Sequence, residues 1–429
     1  MRRLRDSPMY MLSSIAMLSG LLAAAPIDQS KSAAPAQAAH QLPDDLTNSS
    51  PSFEVISDNE IIADGHAFQS WDELYQAGYF NFEDTRCKTS SEQLPNPNAN
   101  PNNISRGGND CTYDFTNTRP TYDPTVAKYR IPVVVHIIER TNGTGAMSDE
   151  RIHSQIQVLN EDFGAMSGSN GEEGVDTQIE FYLATQDPEG NATSGITRSV
   201  NNIWFDDGGR YYNTLAWDTD RYLNIYSNSA SGALGYTQLP QGGIAGSRSD
   251  RVVILYSTFG LGAPFVPYNL GRTATHEVGH YLGLYHTFDF GCDSSGCDRS
   301  GDRICDTNPV GSPTGGCPSS RTSCGQQVPI HNYMDYSDDR CMNQFTADQA
   351  NRMRCSMINY RPQLFSIVSN EPCSAADYAE PMGVLDFFDV AFYLDAFRDQ
   401  EPAADITEDG IWDFFDISDF IDAFGAGCP

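Results

Sequence analysis

The chain has 429 residues, with 26 Lys+Arg against 57 Asp+Glu and 39% apolar residues, a length that fits two or three domains with cores of their own. Its formal net charge of -31 repels polyanions and argues against nucleic-acid binding through phosphate contacts. Eleven cysteines point to an oxidising destination.

Arg2, Arg3 and Arg5 precede an uncharged Met/Leu/Ala-rich stretch from Met9 to Ala25, the layout of a secretory signal. The stretch is short for a membrane anchor, and no later segment is apolar enough to span a bilayer. Cleavage after Ala25 and cleavage at Ala36-Gln37-Ala38 both remain open. Residues 26 to about 60 read as a flexible Ala/Ser/Pro-rich lead-in with little core. The Asn/Pro/Gly-dense run from Asn96 to Asp110 reads as a protease-sensitive boundary.

Beyond it, Tyr129–Ile138 is expected to be a buried strand. Ser148–Phe163 places Ile152, Ile156, Leu159 and Phe163 on one helical face, with Ser148 as N-cap. Strand candidates follow at Gln178–Leu183, Tyr222–Tyr226, Ala233–Leu239 and Arg251–Tyr256, then a long helix from near Asn269. This order predicts an α/β domain, a mixed sheet with helices packed on it.

That last helix carries His276-Glu277-Val278-Gly279-His280-Tyr281-Leu282-Gly283-Leu284-Tyr285-His286. Residues four apart share a helix face, so His276 and His280 can ligate one zinc ion. Gly283 can adopt a positive φ, ending the helix and turning the chain so that His286 arrives as third ligand. Three neutral nitrogens leave one tetrahedral position open to water, the mark of a catalytic zinc site. Glu277, beside the metal without ligating it, is the general-base candidate, and the reaction class is amide hydrolysis. His136, His153 and His331 read as ordinary strand, helix-face and loop residues.

Five cysteines, Cys292, Cys297, Cys305, Cys317 and Cys324, lie in a Gly/Ser/Asp-rich segment after His286 that disulfides must hold in place. The final segment repeats itself 27 residues apart: Gly383-Val-Leu-Asp-Phe-Phe-Asp389 matches Gly410-Ile-Trp-Asp-Phe-Phe-Asp416. Asp405, Thr407, Asp409, Ile411, Asp413 and Asp416 have calcium-loop spacing around Gly410, whereas the first copy lacks these donors. Cys373 and Cys428 bracket this repeat and are a natural disulfide pair.

His276, Glu277, His280, Gly283 and His286 resemble the long zinc motif of metzincin metallopeptidases. The stretch Asn332-Tyr333-Met334-Asp335-Tyr336 through Thr346 resembles the pappalysin branch, and the likeness covers roughly Tyr129 to Met357. It implies a metzincin-type fold with a mostly parallel twisted sheet and an active-site helix. It also implies that Met334 forms the turn beneath the metal, and that Tyr336 donates to the oxyanion, a role its hydroxyl chemistry suits. Ala233–Leu239 becomes the edge for extended peptide or protein substrates. The resemblance further implies a cross-linked, calcium-binding loop, with Cys317–Cys341, Cys324 paired to Cys292 or Cys297, and Asp302 and Asp306 as calcium oxygens. Cys87, in Arg86-Cys87-Lys88-Thr89, resembles the switch cysteine that keeps zinc covered in some related proenzymes; a Cys87–Cys111 disulfide is the alternative. The tail resembles a dockerin module, a small all-α domain that binds a cohesin-like scaffold partner.

The expected organisation is a signal and lead-in over 1–38, a propeptide over 39–125, a zinc peptidase domain over 126–368 and a dockerin-like domain over 371–429. The expected function is that of a secreted zinc endopeptidase attached outside the cell. The rival is a non-catalytic calcium-dependent binding protein on a degenerate peptidase fold.

Overall fold

The structure, a computed structural model, describes residues 53–57, 59–63, 65–81, 83–89, 122, 127–293, 296–368, 372–379, 385, 387–407 and 409–427. The signal segment, the 96–110 boundary, Cys111 and Cys428 lie outside these residues, and with them the Cys373–Cys428 pairing. Every described residue belongs to one unit of the chain, His40–Pro429.

The lead-in turns out to contribute core. Phe53–Ser57 (β1), Glu60–Ala63 (β2) and His66–Phe68 (β3) form an antiparallel sheet. Phe53, Val55, Ile61 and Ala63 face inward at every second position and join the main apolar cluster, which corrects the reading of a core-free segment up to residue 60. Trp71–Gln76 (α1), capped by Ser70, and Glu83–Arg86 (α2) follow.

The central strand is Lys128–Glu139 (β4), whose Val/Ile run is buried on both faces as a central parallel strand requires. Ile179–Leu183 (β5), Ile196–Val200 (β6) and Leu223–Asn228 (β7) all pair with it in parallel. Gly235–Tyr236 (β8) and Val252–Leu255 (β9) complete one side: β9 runs parallel to β7, and β8 lies antiparallel to β9 at the edge. β8 is far shorter than the predicted 233–239, because Ala230, Ser231 and Gly232 all have positive φ just before it and bend the chain out of the ladder. Asp149–Phe163 (α3) is capped by the Ser148 side chain as the spacing predicts. Asn202–Phe205 (α4) and Tyr212–Leu215 (α5) are single turns. Arg272–Tyr281 (α6) starts later than Asn269, since Gly271 at φ 81° caps it, and all ten of its residues are buried.

Thr322–Ser323 (β10) and Gln326–Gln327 (β11) make a small hairpin in the cysteine-rich loop. Cys292 bonds Cys324, Cys297 bonds Cys305 and Cys317 bonds Cys341. Cys355 and Cys373 are also oxidised, while Cys87 is a buried free thiol, so it forms no bridge to Cys111. Ala347–Tyr360 (α7) carries a capping box between Thr346 and Gln349, and Ser366–Val368 (β12) returns antiparallel to β4.

The acidic tail holds Phe387–Asp399 (α8) and Phe414–Ala426 (α9), two helices of equal length in register with the repeat. Tyr393 and Phe420 stack at 4.0 Å between rings inside a separate small core.

Candidate active site

Three imidazoles meet at the C-terminal end of α6. His280 Nε2 lies 3.1 Å from His276 Nε2 and 3.0 Å from His286 Nε2. Gly283, at φ 100°, makes the turn that brings His286 round; a Cβ there would sit 2.2 Å from Ser356 Oγ, so no larger residue fits. Each ring is fixed by its other nitrogen. His276 Nδ1 bonds the Tyr333 carbonyl at 2.6 Å, His280 Nδ1 the Leu284 carbonyl at 2.8 Å and His286 Nδ1 the Asp289 carboxylate at 2.9 Å.

Those acceptors make Nδ1 the donor in every ring, so three lone pairs on Nε2 point at one another. Uncompensated, that arrangement is repulsive; around a divalent cation it is what ligation requires. For nitrogens about 2.0–2.1 Å from tetrahedral zinc the expected separation is about 3.3 Å, close to the spacing found. Burial holds His276 and His280 well below the usual imidazole range, so both are neutral as ligands must be. The residues present therefore fit zinc. Among the described residues, one group of His, Cys and acidic side chains can hold a metal ion: these three histidines with Cys87, their ligand atoms all within 4.8 Å of one another.

Glu277 is fully buried beside them. Burial pushes its carboxyl up to about 7. Its Oε2 accepts from Thr89 Oγ1 at 3.1 Å and faces Cys87 Sγ at 3.4 Å, while Oε1 has no partner among the described residues. Met334 lies under the helix, where a Cβ on Gly279 would meet its Sδ at 2.5 Å. This explains a glycine within α6, where alanine would be the better helix former by about 1 kcal/mol. The Tyr336 ring stands 5.1 Å from the His286 ring and 5.7 Å from the His276 ring, and its hydroxyl reaches the Cys87 carbonyl at 3.5 Å.

The end of α2 and the residues that follow it, Arg86–Thr89, lie in the cleft beside β8. Cys87 pairs with Gly235 in the parallel sense; Leu234 N donates to Arg86 O and Lys88 N to Gly235 O, both at 3.2 Å. Arg86 stacks over Tyr268 at 4.1 Å, donates to the Ser337 carbonyl at 3.0 Å and faces the carboxylates of Asp338 and Asp339.

Other predicted residues are placed differently. Asp302 is buried, its carboxyl pushed up to about 8 by burial, and it accepts from the Ile304 N–H and Gln349. Asp306 caps the start of α7 through Thr346 and Asp348 N. In the tail, Asp405 accepts from the Asp409 and Gly410 N–H groups, Asp409 from Ile411 N, and Asp413 caps α9. Asp416 accepts from Thr407 and Asp413 N. These carboxylates are taken up by backbone donors and helix caps, and the calcium expectation gains no support from them. His136 is a structural residue stacked on Tyr226 and bonded to Thr197 and Asn224. Asp289 goes unnoticed in the sequence, where Thr89 and Gly235 figure only within the Cys87 motif and the 233–239 edge. Asp289, three residues after His286, is the one whose spacing offered a signal.

A family model described as pregnancy-associated plasma protein-A, Peptidase_M43, matches residues 210–358. Extracellular metalloprotease 1 of Coccidioides posadasii is 36% identical over 245 residues, covering 55% of this chain and 79% of the relative. The chain belongs to the M43 peptidase family. An extracellular metalloprotease of Colletotrichum graminicola is 37% identical over 246 residues, covering 55% of the chain and 78% of that relative. A solved structure of a glutamate-to-alanine mutant of Tannerella forsythia promirolysin is 39% identical, covers 58% of this chain and 86% of that one, and gives a TM-score of 0.50. This M43 peptidase is accordingly a metalloendopeptidase with a mixed α/β core, and its curated relatives are named as extracellular enzymes. Among its described residues no helix is long and apolar enough to cross a membrane.

Proposed function

We propose that this M43 peptidase is exported as a latent zinc endopeptidase, activated by loss of its pro-segment and tethered through its acidic tail. The observation that carries the reading is the convergence of three Nε2 atoms at 3.0–3.1 Å, each with its Nδ1 tied down. His276, His280 and His286 are the ligand set. Zinc, when bound, supplies Lewis acidity toward water and the scissile carbonyl.

The chain supplies the rest. Glu277 takes a proton from the attacking water and returns it to the leaving amine. Tyr336 donates its hydroxyl to the oxyanion as negative charge develops. Substrate adds as a strand to the β8 edge, where main-chain hydrogen bonds hold it irrespective of sequence. The pocket filled by Arg86, with the Tyr268 ring and two carboxylates, suits a basic side chain beside the scissile bond.

In the latent form Cys87 would join the three histidines in holding zinc, its sulfur standing where the metal would otherwise meet water, while Thr89 occupies the Glu277 carboxylate. Residues 1–38 direct export, and processing between residue 90 and residue 128 frees the cleft. The tail, with Ile411, Phe414, Phe415 and Ile421 exposed beside an acidic surface, serves as a dockerin-like tether for a cohesin-like partner.

The test is casein hydrolysis by the secreted chain after proteolytic activation, with zinc content measured on the same sample. Hydrolysis abolished by 1,10-phenanthroline, and reduced by orders of magnitude in Glu277→Ala with zinc retained, is the expected result. A zinc-loaded, processed chain that cuts no peptide would instead favour the binding-protein reading.

A further inference from the structure

The pro-segment does more than plug the cleft. Its aromatic side chains sit on the loop between β9 and α6. Trp71 stacks on Phe265 at 5.1 Å with 22° between ring planes, and Phe80 packs on the same ring at 5.0 Å. Phe80 and Tyr75 also reach Tyr268, at 6.0 and 5.8 Å. These contacts bury Phe265 and Tyr268 almost completely. The Trp71 indole N–H has no acceptor among the described residues, and the side chain is held by ring contacts, stacked on Phe265 and T-shaped against Phe53 and Tyr256.

Both ends of the loop are anchored by the catalytic domain. Arg151 Nε donates to Phe259 O at 2.7 Å, Gly260 N to Gln155 Oε1 at 2.7 Å and Leu261 N to Ser154 Oγ at 3.0 Å, so α3 grips it from the catalytic domain. Leu270 N donates to Asp339 at 2.8 Å at the other end. When the pro-segment departs, this anchoring stays, and an aromatic surface is left facing solvent. Leu261 and Val266, 40% and 55% exposed even in the covered form, extend its apolar rim. Tyr268 joins the surface to the cleft, since the same ring that meets Tyr75 and Phe80 lies under the Arg86 guanidinium.

We infer that Phe265 and Tyr268 form a second substrate-binding site in the activated enzyme, one that takes an aromatic side chain of a peptide whose basic residue occupies the Arg86 pocket. The inference rests on the proposed peptidase reading. The ligand chemistry is that of the displaced occupants: aromatic rings packed on Phe265 and Tyr268 by face and by edge, with Phe80 six residues before the Arg86 cation. A buried ring pair of this kind supports about a tenfold gain in kcat/KM.

The test uses the full chain activated by limited proteolysis and freed of its pro-segment. Fluorogenic peptides share one basic residue at the scissile bond, and a single Phe is moved stepwise along the flanking residues, with Ser in its place as reference. One position should show about a tenfold Phe/Ser preference in kcat/KM, and Phe265→Ala should bring that ratio close to one. A synthetic peptide spanning Trp71 to Phe80, which lacks Cys87, should compete with the Phe substrate and leave a short peptide without the aromatic residue uninhibited. This second measurement is made on the unaltered enzyme and stands if the variant fails to fold. Cleavage with no Phe preference anywhere, or no competition, overturns the second site alone. Failure to cut any peptide overturns the peptidase reading beneath it.

Discussion

Gly235→Ala tests how closely the edge strand approaches the proposed base. A Cβ at this position would lie 2.7 Å from Glu277 Cγ, 3.0 Å from Oε1 and 3.1 Å from Cδ. The nearest atom is Cγ, fixed by the rotamer of a residue inside a buried helix, so no flexible tip can swing aside. Restoring ordinary carbon–carbon contact demands a relative shift of about 1 Å, shared between β8 and the Glu277 side chain. A misplacement of that size costs about 10²-fold in rate, or about 2.7 kcal/mol of barrier. The assay is kcat on a short fluorogenic peptide, read beside zinc content and thermal melting of the activated chain. The expected outcome is a fall of about two orders of magnitude in kcat with zinc still bound. An activated Gly235→Ala enzyme with unaltered kcat would refute the assignment of Glu277 as base across from this strand.

Cys87→Ala should give an unprocessed chain with measurable peptidase activity, and latency unchanged from the parent would count against the thiolate block. Asp289→Ala removes the partner of His286 Nδ1 and should weaken zinc about 10–100-fold in competition with a chelator, with little change in the melting of the zinc-saturated form. Gly279→Ala, despite a better helix propensity, should lower stability by about 1–3 kcal/mol in denaturant unfolding, because the added methyl meets Met334. Burial lowers His136 to about 4, so the native state resists a proton that the unfolded state accepts from pH 6.5 downward. That contribution is whole above about pH 6.5 and fades as pH falls toward 4, amounting to roughly 3 kcal/mol; urea unfolding of His136→Gln should show a shallower acid limb than the parent.

Much of this site could be read from spacing alone, because a helix converts a separation of four into proximity. His276, Glu277 and His280 needed only the 3.6-residue period, and Ser148 announced α3 by its capping chemistry. Local rules did not reveal β6, whose residues are all at least partly exposed and lack apolar alternation. They also stretched β8 beyond its two residues, since positive φ at Ala230 and Ser231 is a tertiary choice that neither residue type advertises. The strands β1 and β2 were legible in principle: Phe53 and Val55 alternate as a half-buried strand should, but the surrounding Ser, Asp and Pro obscured the period. Asp162 was out of reach. It joins Arg272, Thr275 and Tyr333 in one buried network, and Tyr333 in turn holds His276, a link between residues more than a hundred positions apart.

Cys87 shares a small apolar cluster with Phe288, Val310, Val328, Ile330 and Tyr336. Four of its neighbours, Val310, Val328, Ile330 and Tyr336, lie within the loop that Cys292–Cys324 and Cys317–Cys341 cinch together. Reducing these bridges is therefore expected to loosen the seat of Cys87 and the wall of the cleft together.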